Sequence, residues 1–577
     1  MKNLIWIIRV LRWKQFLPVL AVIFFGLLAG KGLIGEGYFN MHDDLQMMRQ
    51  LEMEKCFFDL QIPCRWVPDM GYGFGYPLFN FYPPLPYLVG QGIRAIGFTF
   101  VDTVKILFIF SFVASGLTMY MLASEFFGIF GGVLASVFYI WAPYHSVDVY
   151  VRGAMNEAWA LIWFPFIFWA SYKLITEKKK EKSLIWVIEL ALAWFGLFTS
   201  HNLMVLIFSP LFAVWCLIWL FANKSWKRIP NLLIAGAWSF GLSAFFTIPV
   251  LLEKGKVATE TLVVGYYEYT AHFANISQLL FSRFWGYGPS VWLADGDRMS
   301  FQIGWIHWIL SLAVLAFLIV RILKTRRIEL EVLLVGFFIA SGWFAAFMAH
   351  SRSTPIWGLF NELKFVQFPW RFLTIVIFSF SFVSGWVGKR LPKIVGLGLI
   401  IGVLVYSWNY FLPERGKLGP LTDEKKFTGV AWDMQQTAGI YDYLPEAAKT
   451  APKAPRGRAI DVVKGEGDIP MIEEGTDWAK AVVYMKEEGT IRINIIDFDG
   501  WRVMLDGEVV SHYIPENEEW GRMYLDLSGG RHEISVKLYD TMPRKIGNVI
   551  SLLSWIGIIY LLFRLKKSPL KNIESKG

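Results

Sequence analysis

The chain alternates long apolar runs with short polar segments, and most of its basic residues lie in the polar segments. Each apolar run has about 20 residues, the length that an α-helix needs to cross the hydrocarbon core of a bilayer. The pattern therefore predicts roughly twelve membrane-spanning helices. They lie near 16–34, 102–124, 128–144, 157–175, 183–200, 202–222, 230–251, 302–323, 329–349, 371–388, 394–412 and 547–565.

Segment 84–98 is apolar but short, and it contains Gln91, Arg94 and several Pro and Gly residues. It is predicted to lie in the membrane interface rather than to cross. The basic clusters between the runs then all fall on one face, which the positive-inside rule identifies as cytoplasmic. An additional crossing would invert every later loop and break this pattern. The first run has basic flanks and no clear small-residue cleavage site, so it is predicted to be an uncleaved span.

The C-terminal part changes from long apolar runs to alternating apolar and polar residues, which is typical of strands. Asp506-Gly507 and Gly529-Gly530 are predicted hairpin turns, so the segment is predicted to form an antiparallel β-sandwich after an extended lead-in at 413–470. The predicted domains are a transmembrane domain with a large outer loop at 35–101, an extracytoplasmic β-rich domain, and a final helix with a basic cytoplasmic tail. Their bounds are 1–412, 413–546 and 547–577.

Composition fixes the class of protein. Hydrophobic residues make up 55% of 577 residues, and the mean hydropathy is +0.43, values typical of a polytopic membrane protein in contact with lipids. The formal net charge is +9, but the basic residues are distributed as in membrane proteins, which excludes nucleic acid as a partner. Cys56 and Cys64 share the first outer loop, where a bridge and two unpaired thiols are equally compatible with the sequence.

Two adjacent carboxylates, Asp43 and Asp44, follow the first span. Such a pair is costly to desolvate unless it binds a metal, a proton or a cation. The alternative is that one or both cap a helix at 45–54. Farther along, Glu157 stands at a helix start, where it is either a cap that pairs with Arg152 or a functional acid.

Several motifs resemble the GT-C superfamily of membrane glycosyltransferases. They are the first-loop Asp, RWVPDMGYGFGYPLFNFYPPL from Arg65 to Leu85, YVRGAMNE from Tyr150 to Glu157, TSHN from Thr199 to Asn202, and FVQFPWRF from Phe365 to Phe372. The resemblance covers essentially the whole chain, including a GWRVMLDG hairpin at 500–507 before the last span. Within the superfamily the chain is most similar to the bacterial YfhO-like group, whose label, 6-pyruvoyl-tetrahydropterin-synthase-related, implies no pterin chemistry.

The resemblance implies that a sugar moves from a polyprenyl-phosphate donor to a glycan, lipid or protein acceptor on the outer face of the cell membrane. Such a transfer needs a base for the acceptor hydroxyl and a group that stabilises the departing phosphate. Asp43 matches the family's first-loop Asp and is the expected base, with Asp44 as the alternative. Asp148 or Glu157 is the expected second-loop acid, and Arg152 a phosphate contact.

The other expected substrate-binding residues are polar groups at the outer ends of spans or in outer loops: His42, His201, Arg352, Gln367 and Arg371. For Arg371 the alternatives are a lipid-phosphate contact and an ordinary snorkelling anchor. No spacing makes a convincing metal site, although Asp43, Asp44 and Glu157 could hold Mg²⁺ or Mn²⁺ if folding brings them together.

Two other classes of function compete with glycosyl transfer. A carrier or flippase for lipid-linked sugars would more typically place charged residues in mid-span, whereas these spans are nearly free of Asp and Glu. A non-catalytic assembly protein of the cell envelope could keep the fold without the chemistry, and fold-level analogy does not exclude it.

Overall fold

A computed structural model describes residues 13–291, 298–413 and 420–574, apart from the side chains of 13–15, 180–181 and 565–574. The chain divides into two compact units, and each unit is built from three separate stretches of sequence. The first unit comprises Met1–Gln46, Gly97–Ala237 and Val263–Thr422. The second comprises Met47–Ile96, Trp238–Leu262 and Asp423–Gly577. The domain bounds drawn from the sequence stay a prediction.

Helices dominate the described residues. In chain order they are α1 (Trp13–Ala29), α2 (Gln46–Phe58), α3 (Leu78–Phe81), α4 (Leu85–Ala95), α5 (Phe100–Ile140), α6 (Pro143–Tyr150), α7 (Met155–Thr176), α8 (Lys180–Ser200), α9 (Asn202–Asn223), α10 (Ile229–Glu253), α11 (Ile276–Leu280), α12 (Trp305–Thr325), α13 (Leu330–Met348), α14 (Thr354–Leu359), α15 (Leu373–Arg390), α16 (Lys393–Ser407), α17 (Asp423–Lys426), α18 (Gly429–Thr437) and α19 (Met542–Glu574).

Among these helices, 11 are long and apolar enough to cross a membrane. They are α1, α5, α7, α8, α9, α10, α12, α13, α15, α16 and α19. Helix α5 accounts for two of the predicted spans, because Gly128 has a non-helical backbone (φ 73°, ψ −179°) that divides its 41 residues. The prediction of a polytopic helical membrane protein is confirmed.

Helix α4 occupies the segment that was predicted not to cross. It has 11 residues, and at 1.5 Å per residue it is about 16 Å long, roughly half of the 30 Å hydrocarbon core. Its length therefore agrees with an interfacial position.

The C-terminal segment forms two antiparallel sheets. Its strands are β1 (Ile460–Lys464), β2 (Gly467–Glu474), β3 (Trp478–Met485), β4 (Gly489–Ile496), β5 (Trp501–Leu505), β6 (Glu508–Val510), β7 (Arg522–Leu527) and β8 (Gly530–Leu538). The strand order is β1-β4-β7 in one sheet and β2-β3-β8-β5-β6 in the other. Alternate residues of both sheets, such as Ile491, Ile493, Val483 and Val536, share one buried hydrophobic cluster.

The two predicted hairpins have different outcomes. Asp506 and Gly507 both have positive φ and join the paired strands β5 and β6, as a two-residue hairpin requires. The prediction of a hairpin at Gly529-Gly530 is wrong, because the flanking strands do not pair with each other: β7 pairs with β4, and β8 pairs with β3 and β5. The apolar faces of β7 and β8 bury into the same core from different sheets, so this turn crosses between sheets. The lead-in at 413–470 is not extended throughout, since it contains α17, α18 and β1.

A buried polar junction holds distant parts of the second unit together. Arg65 in the first loop donates to Asp540 (Nε to Oδ1, 3.2 Å) and to Asn80 (Nη1 to Oδ1, 3.0 Å). Glu253 at the end of α10 accepts from Asn80 (2.8 Å) and from Arg544 (2.9 Å). Two arginines thus meet two carboxylates, so the charges at the junction balance.

The open question of the first-loop cysteines is answered by the structure. Cys56 and Cys64 form a disulfide with a Cα–Cα distance of 5.5 Å, and Cys216 is a buried free cysteine. The bridge joins the last turn of α2 to the loop that leads to Arg65.

Asp477, just before β3, gives a pH-dependent test of the β-sheet region. Burial raises its pKa from 3.8 to about 6, against the opposing charge of Lys537. Ionisation therefore destabilises the folded state, and the free energy of unfolding falls as the pH rises from about 4 to 6 and stays lower above that range. We expect Asp477→Asn to be more stable than the wild type at pH 7, by about 1 kcal/mol after solvent screening, and nearly equal to it at pH 4.

Hydrogen–deuterium exchange of the β3 and β8 amides in the full-length protein, compared at equal pH, measures this difference. An equal difference at both pH values would contradict a charge effect.

Candidate functional site

The site residues predicted from the sequence lie in the first unit, and a tight turn between α6 and α7 organises most of them. The turn holds Gly153, whose φ is +62°. A Cβ atom at Gly153 would lie 2.2 Å from the Met41 sulfur, so a side chain there would be strained and would displace Met41. The first loop runs beside this turn, since the His42 amide donates to Val151 (3.0 Å) and the Asp43 amide donates to Arg152 (2.9 Å).

A buried ion-pair network lies on this turn and around it. Arg152 Nη1 is 2.5 Å from Asp148 Oδ1 and 2.7 Å from Glu157 Oε2. Arg371 Nε donates to the same Glu157 oxygen (3.2 Å), and the Tyr144 hydroxyl donates to Glu157 Oε1 (2.7 Å). The side chains of Asp148 and Glu157 are only 0% and 1% exposed, so two carboxylates and two guanidinium groups neutralise each other inside the protein.

The electrostatics of the network follow from its burial. Burial raises the pKa of Asp148, and the nearby Glu157 carboxylate raises it further, while Arg152 opposes both. Burial also lowers the pKa of His201 to about 3, assisted by Arg371. His201 is therefore neutral at physiological pH and contributes no positive charge to this cluster.

Arg371 lies in the short helical turn Pro369–Phe372 and is held on two sides. Besides Glu157, its Nη1 donates to the Val366 carbonyl (2.7 Å) and to Gln367 Oε1 (3.0 Å). Gln367 has φ +65°, a strained conformation for a residue with a side chain. None of the described hydrogen bonds uses Nη2 of Arg371, and the Arg371 side chain is 11% exposed to solvent.

Aromatic rings pack against both arginines. The Arg152 guanidinium lies 4.4 Å from the Trp370 ring centroid, and that of Arg371 lies 4.9 Å from the Phe368 centroid. Phe368 and Trp370 stack on each other with centroids 4.8 Å apart. These contacts fix the arginine planes, because an aromatic face attracts a cation that lies over it.

The first-loop carboxylates differ from the buried pair because Asp43 and Asp44 are only half-buried. Asp43 Oδ2 accepts a hydrogen bond from Gln46 Nε2 (2.9 Å) at the start of α2. Asp44 is near Tyr287, where burial and then the Asp44 charge raise the pKa of the phenol. His42 also contacts Tyr287, because its Nε2 lies 2.5 Å from the Tyr287 carbonyl oxygen.

Two expectations do not fit this arrangement. Arg352 is exposed, and its described hydrogen bond is a local one from its backbone amide to His350 Nδ1 (3.1 Å). The described residues also contain no group of three or more His, Cys, Asp or Glu side chains placed to hold a metal ion. Both Glu157 oxygens are taken by Arg152, Arg371 and Tyr144, so Glu157 does not join Asp43 and Asp44 as ligands for Mg²⁺ or Mn²⁺.

Sequence reasoning missed several members of the site. Gln46 follows Asp43 by three residues, a capping-box spacing that could have indicated their contact. Tyr144, Tyr287 and Trp370 carried no comparable local signal, because only the fold brings them to the charged residues.

No protein-family model matches the chain, and no curated protein matches it. Among solved structures it is similar to the arabinofuranosyltransferase AftD from Mycobacteria, with 13% identity, a TM-score of 0.44 and 69% of this chain covered. It is also similar to the Archaeoglobus fulgidus oligosaccharyltransferase, with 10% identity, a TM-score of 0.43 and 78% of this chain covered. The chain spans 27% and 61% of the lengths of those two chains. At these values the likeness identifies neither an activity nor a substrate.

The shared pairing of Glu157 predicts a stability effect. Glu157→Gln leaves Arg371 and part of Arg152 without a buried counter-charge, and we expect it to lower the free energy of unfolding by about 3–5 kcal/mol. Thermal unfolding of the purified protein in detergent measures this loss. Arg371→Gln in the same background should restore part of it, because the two residues interact directly.

Glu189→Gln in α8 is the matched control, since Glu189 makes none of the described ion pairs and should tolerate the change. A Glu157→Gln protein as stable as the wild type would contradict the structural role and would return Glu157 to the candidates for a catalytic acid.

Proposed function

We propose that the chain is a GT-C-type glycosyltransferase that moves a sugar from a polyprenyl-phosphate donor to an acceptor hydroxyl. One observation carries the proposal. The backbone of Asp43 pairs with the turn that bears Arg152, the Asp43 side chain is half-buried, and Arg152 belongs to a buried arginine network. An accessible base next to arginine is what the transfer needs, and the motifs that resemble the superfamily contribute Asp43, Arg152, Glu157 and Arg371 to this one place.

The proposed reaction is a single displacement at the anomeric carbon. Asp43 takes the proton of the acceptor hydroxyl as its oxygen bonds to the anomeric carbon. The bond from that carbon to the phosphate oxygen breaks, and polyprenyl phosphate leaves with the electron pair. Arg371 stabilises the negative charge on the leaving phosphate through Nη2, the edge that the described hydrogen bonds leave unused.

The other predicted site residues receive roles from their surroundings. Asp148 and Glu157 are buried and paired with arginine, so they hold Arg152 and Arg371 in place rather than exchange protons with a substrate. Asp44 remains the alternative base, since it is also half-buried on the same loop. His42 contacts substrate from the exposed side of that loop, whereas His201 and Gln367 act from within the cluster.

The proposal also includes the partners and the location. Donor and acceptor meet on the extracytoplasmic face of the cell membrane, and the β-rich segment between α16 and α19 lies on that same face. The acceptor is a glycan, a lipid or a protein. These assignments follow from the positive-inside distribution of basic residues and from the resemblance to the superfamily.

Asp43→Asn tests the base. Removing a general base typically reduces the rate by about 10² to 10⁴, whereas the folded protein should remain, because Asn keeps an oxygen that accepts from Gln46. The assay follows the transfer of radiolabelled sugar to acceptors in detergent-solubilised envelope extract, from a panel of polyprenyl-phosphate monosaccharides (glucose, mannose, galactose and arabinofuranose).

Asp102→Asn is the matched control, since Asp102 is an exposed aspartate near the start of α5 in the same unit. A fully active Asp43→Asn protein would move the base to Asp44. Activity in both single variants would reject a first-loop base, and no transfer by the wild type from any donor in the panel would favour a non-catalytic assembly protein.

Arg371→Lys tests the phosphate contact. Lysine keeps the charge but loses the planar fork, so we expect correct insertion and a several-fold higher KM for the donor, and Arg371→Gln should be worse. Steady-state kinetics at varied donor concentration measure the effect. Arg327→Lys is the control, because Arg327 is an exposed arginine of the same unit and has no proposed role in the site. An unchanged donor KM in Arg371→Lys would make Arg371 a membrane anchor and move the contact to Arg152 or Arg352.

A further inference from the structure

Gln46 is a fully buried side chain that joins the two halves of the site. Its Nε2 group donates to Asp43 Oδ2 (2.9 Å) and to the carbonyl oxygen of Gly153 (2.8 Å). Both partners are acceptors only, so the orientation of the amide is fixed, with its NH₂ group facing them. One NH₂ group therefore ties the side chain of the first-loop carboxylate to the turn that bears Arg152.

We propose that Gln46 is a positioning residue for Asp43 in the transfer reaction, a role that rests on the proposed function. Backbone pairing fixes where the Asp43 main chain lies, but it leaves the side-chain rotamer free. The bond from Gln46 to Oδ2 restrains that rotamer and so sets the direction in which the carboxylate faces the acceptor hydroxyl. Because the donor is neutral, it adds no charge that would weaken the base.

The groups around Asp43 are compatible with this role. His42 and Asp44 are its neighbours on the loop, and Tyr38 lies close enough for both aspartates to affect it electrostatically. Tyr287 faces Asp44 from the stretch between α11 and α12. The Gln46 side chain donates directly to the Asp43 carboxylate, so a change at Gln46 acts on the base.

Two substitutions at Gln46 separate positioning from structure. Gln46→Met has a similar size but no donor, and we expect kcat to fall roughly 10- to 100-fold with the donor KM unchanged, because misplacing a catalytic group costs rate rather than binding. Gln46→Glu places a second carboxylate beside Asp43. A like charge favours the protonated form of the base, so the acid limb of the pH–rate profile should move up by about one unit, with the rate partly recovered at higher pH.

Gln50→Met is the matched control, because Gln50 is also fully buried on α2 and donates to a backbone carbonyl, that of Tyr87 (3.2 Å). Its described hydrogen bond does not involve Asp43, so kcat and the acid limb should match the wild type. The assays use the polyprenyl-phosphate monosaccharide of the panel that gives the highest wild-type rate, and folding is checked by size-exclusion chromatography in detergent.

The outcomes separate this inference from the proposed function. If Asp43→Asn is inactive while both Gln46 variants keep the wild-type kcat and acid limb, the positioning role is overturned and the base stands. If Gln46→Met fails to fold while Gln50→Met folds, Gln46 is a structural tie, and the inference is again overturned. If Asp43→Asn and Asp44→Asn are both active, the proposed function of the first loop fails whatever Gln46 does.

Discussion

The charge balance around Arg152 is the constraint on which the site in the first unit depends. A guanidinium group that is only 7% exposed must have counter-charges within contact distance, because an unpaired buried charge costs several kcal/mol. Asp148 precedes Arg152 by four residues, which is helical spacing, whereas Glu157 follows it by five and lies across the turn between α6 and α7. Gly153 permits that turn. The carbonyl groups of Val151 and Arg152 in the turn then accept hydrogen bonds from the first loop.

One strained residue lies in the same region. Gln367 has a positive φ (+65°), which a non-glycine residue rarely adopts without compensation. The compensation is visible: its side-chain oxygen accepts from Arg371, and Arg371 in turn pairs with Glu157. The network therefore stabilises a loop geometry that the local sequence alone would not favour, and it explains why an arginine at the start of a span meets protein groups rather than lipid alone.

The sequence predicted the membrane helices well, because length and apolarity determine that state almost locally; Gly128 even marks the break that divides α5. It also identified Asp148, Arg152, Glu157 and Arg371 as candidates and offered the Glu157–Arg152 pair as one alternative, but it did not relate Arg371 to them. Contacts such as Arg371 with Glu157 join residues 214 positions apart, and no periodicity encodes them. The hairpin predicted at Gly529-Gly530 is wrong for the same reason. Two glycines indicate that the chain reverses, but they do not indicate which sheet the next strand joins.

Burial divides the acidic residues into two groups with different chemistry. Asp148 and Glu157 are buried and paired with arginine. A substrate hydroxyl cannot reach such a carboxylate unless its ion pairs break first. Asp43 and Asp44 keep contact with solvent, and the bond from Gln46 reaches Asp43 without a competing charge. If the site takes a proton from an acceptor, the first loop must take it. Of the buried carboxylates, Glu157 holds Arg371 and Asp148 holds Arg152, so both make their ion pairs with the arginines of the site.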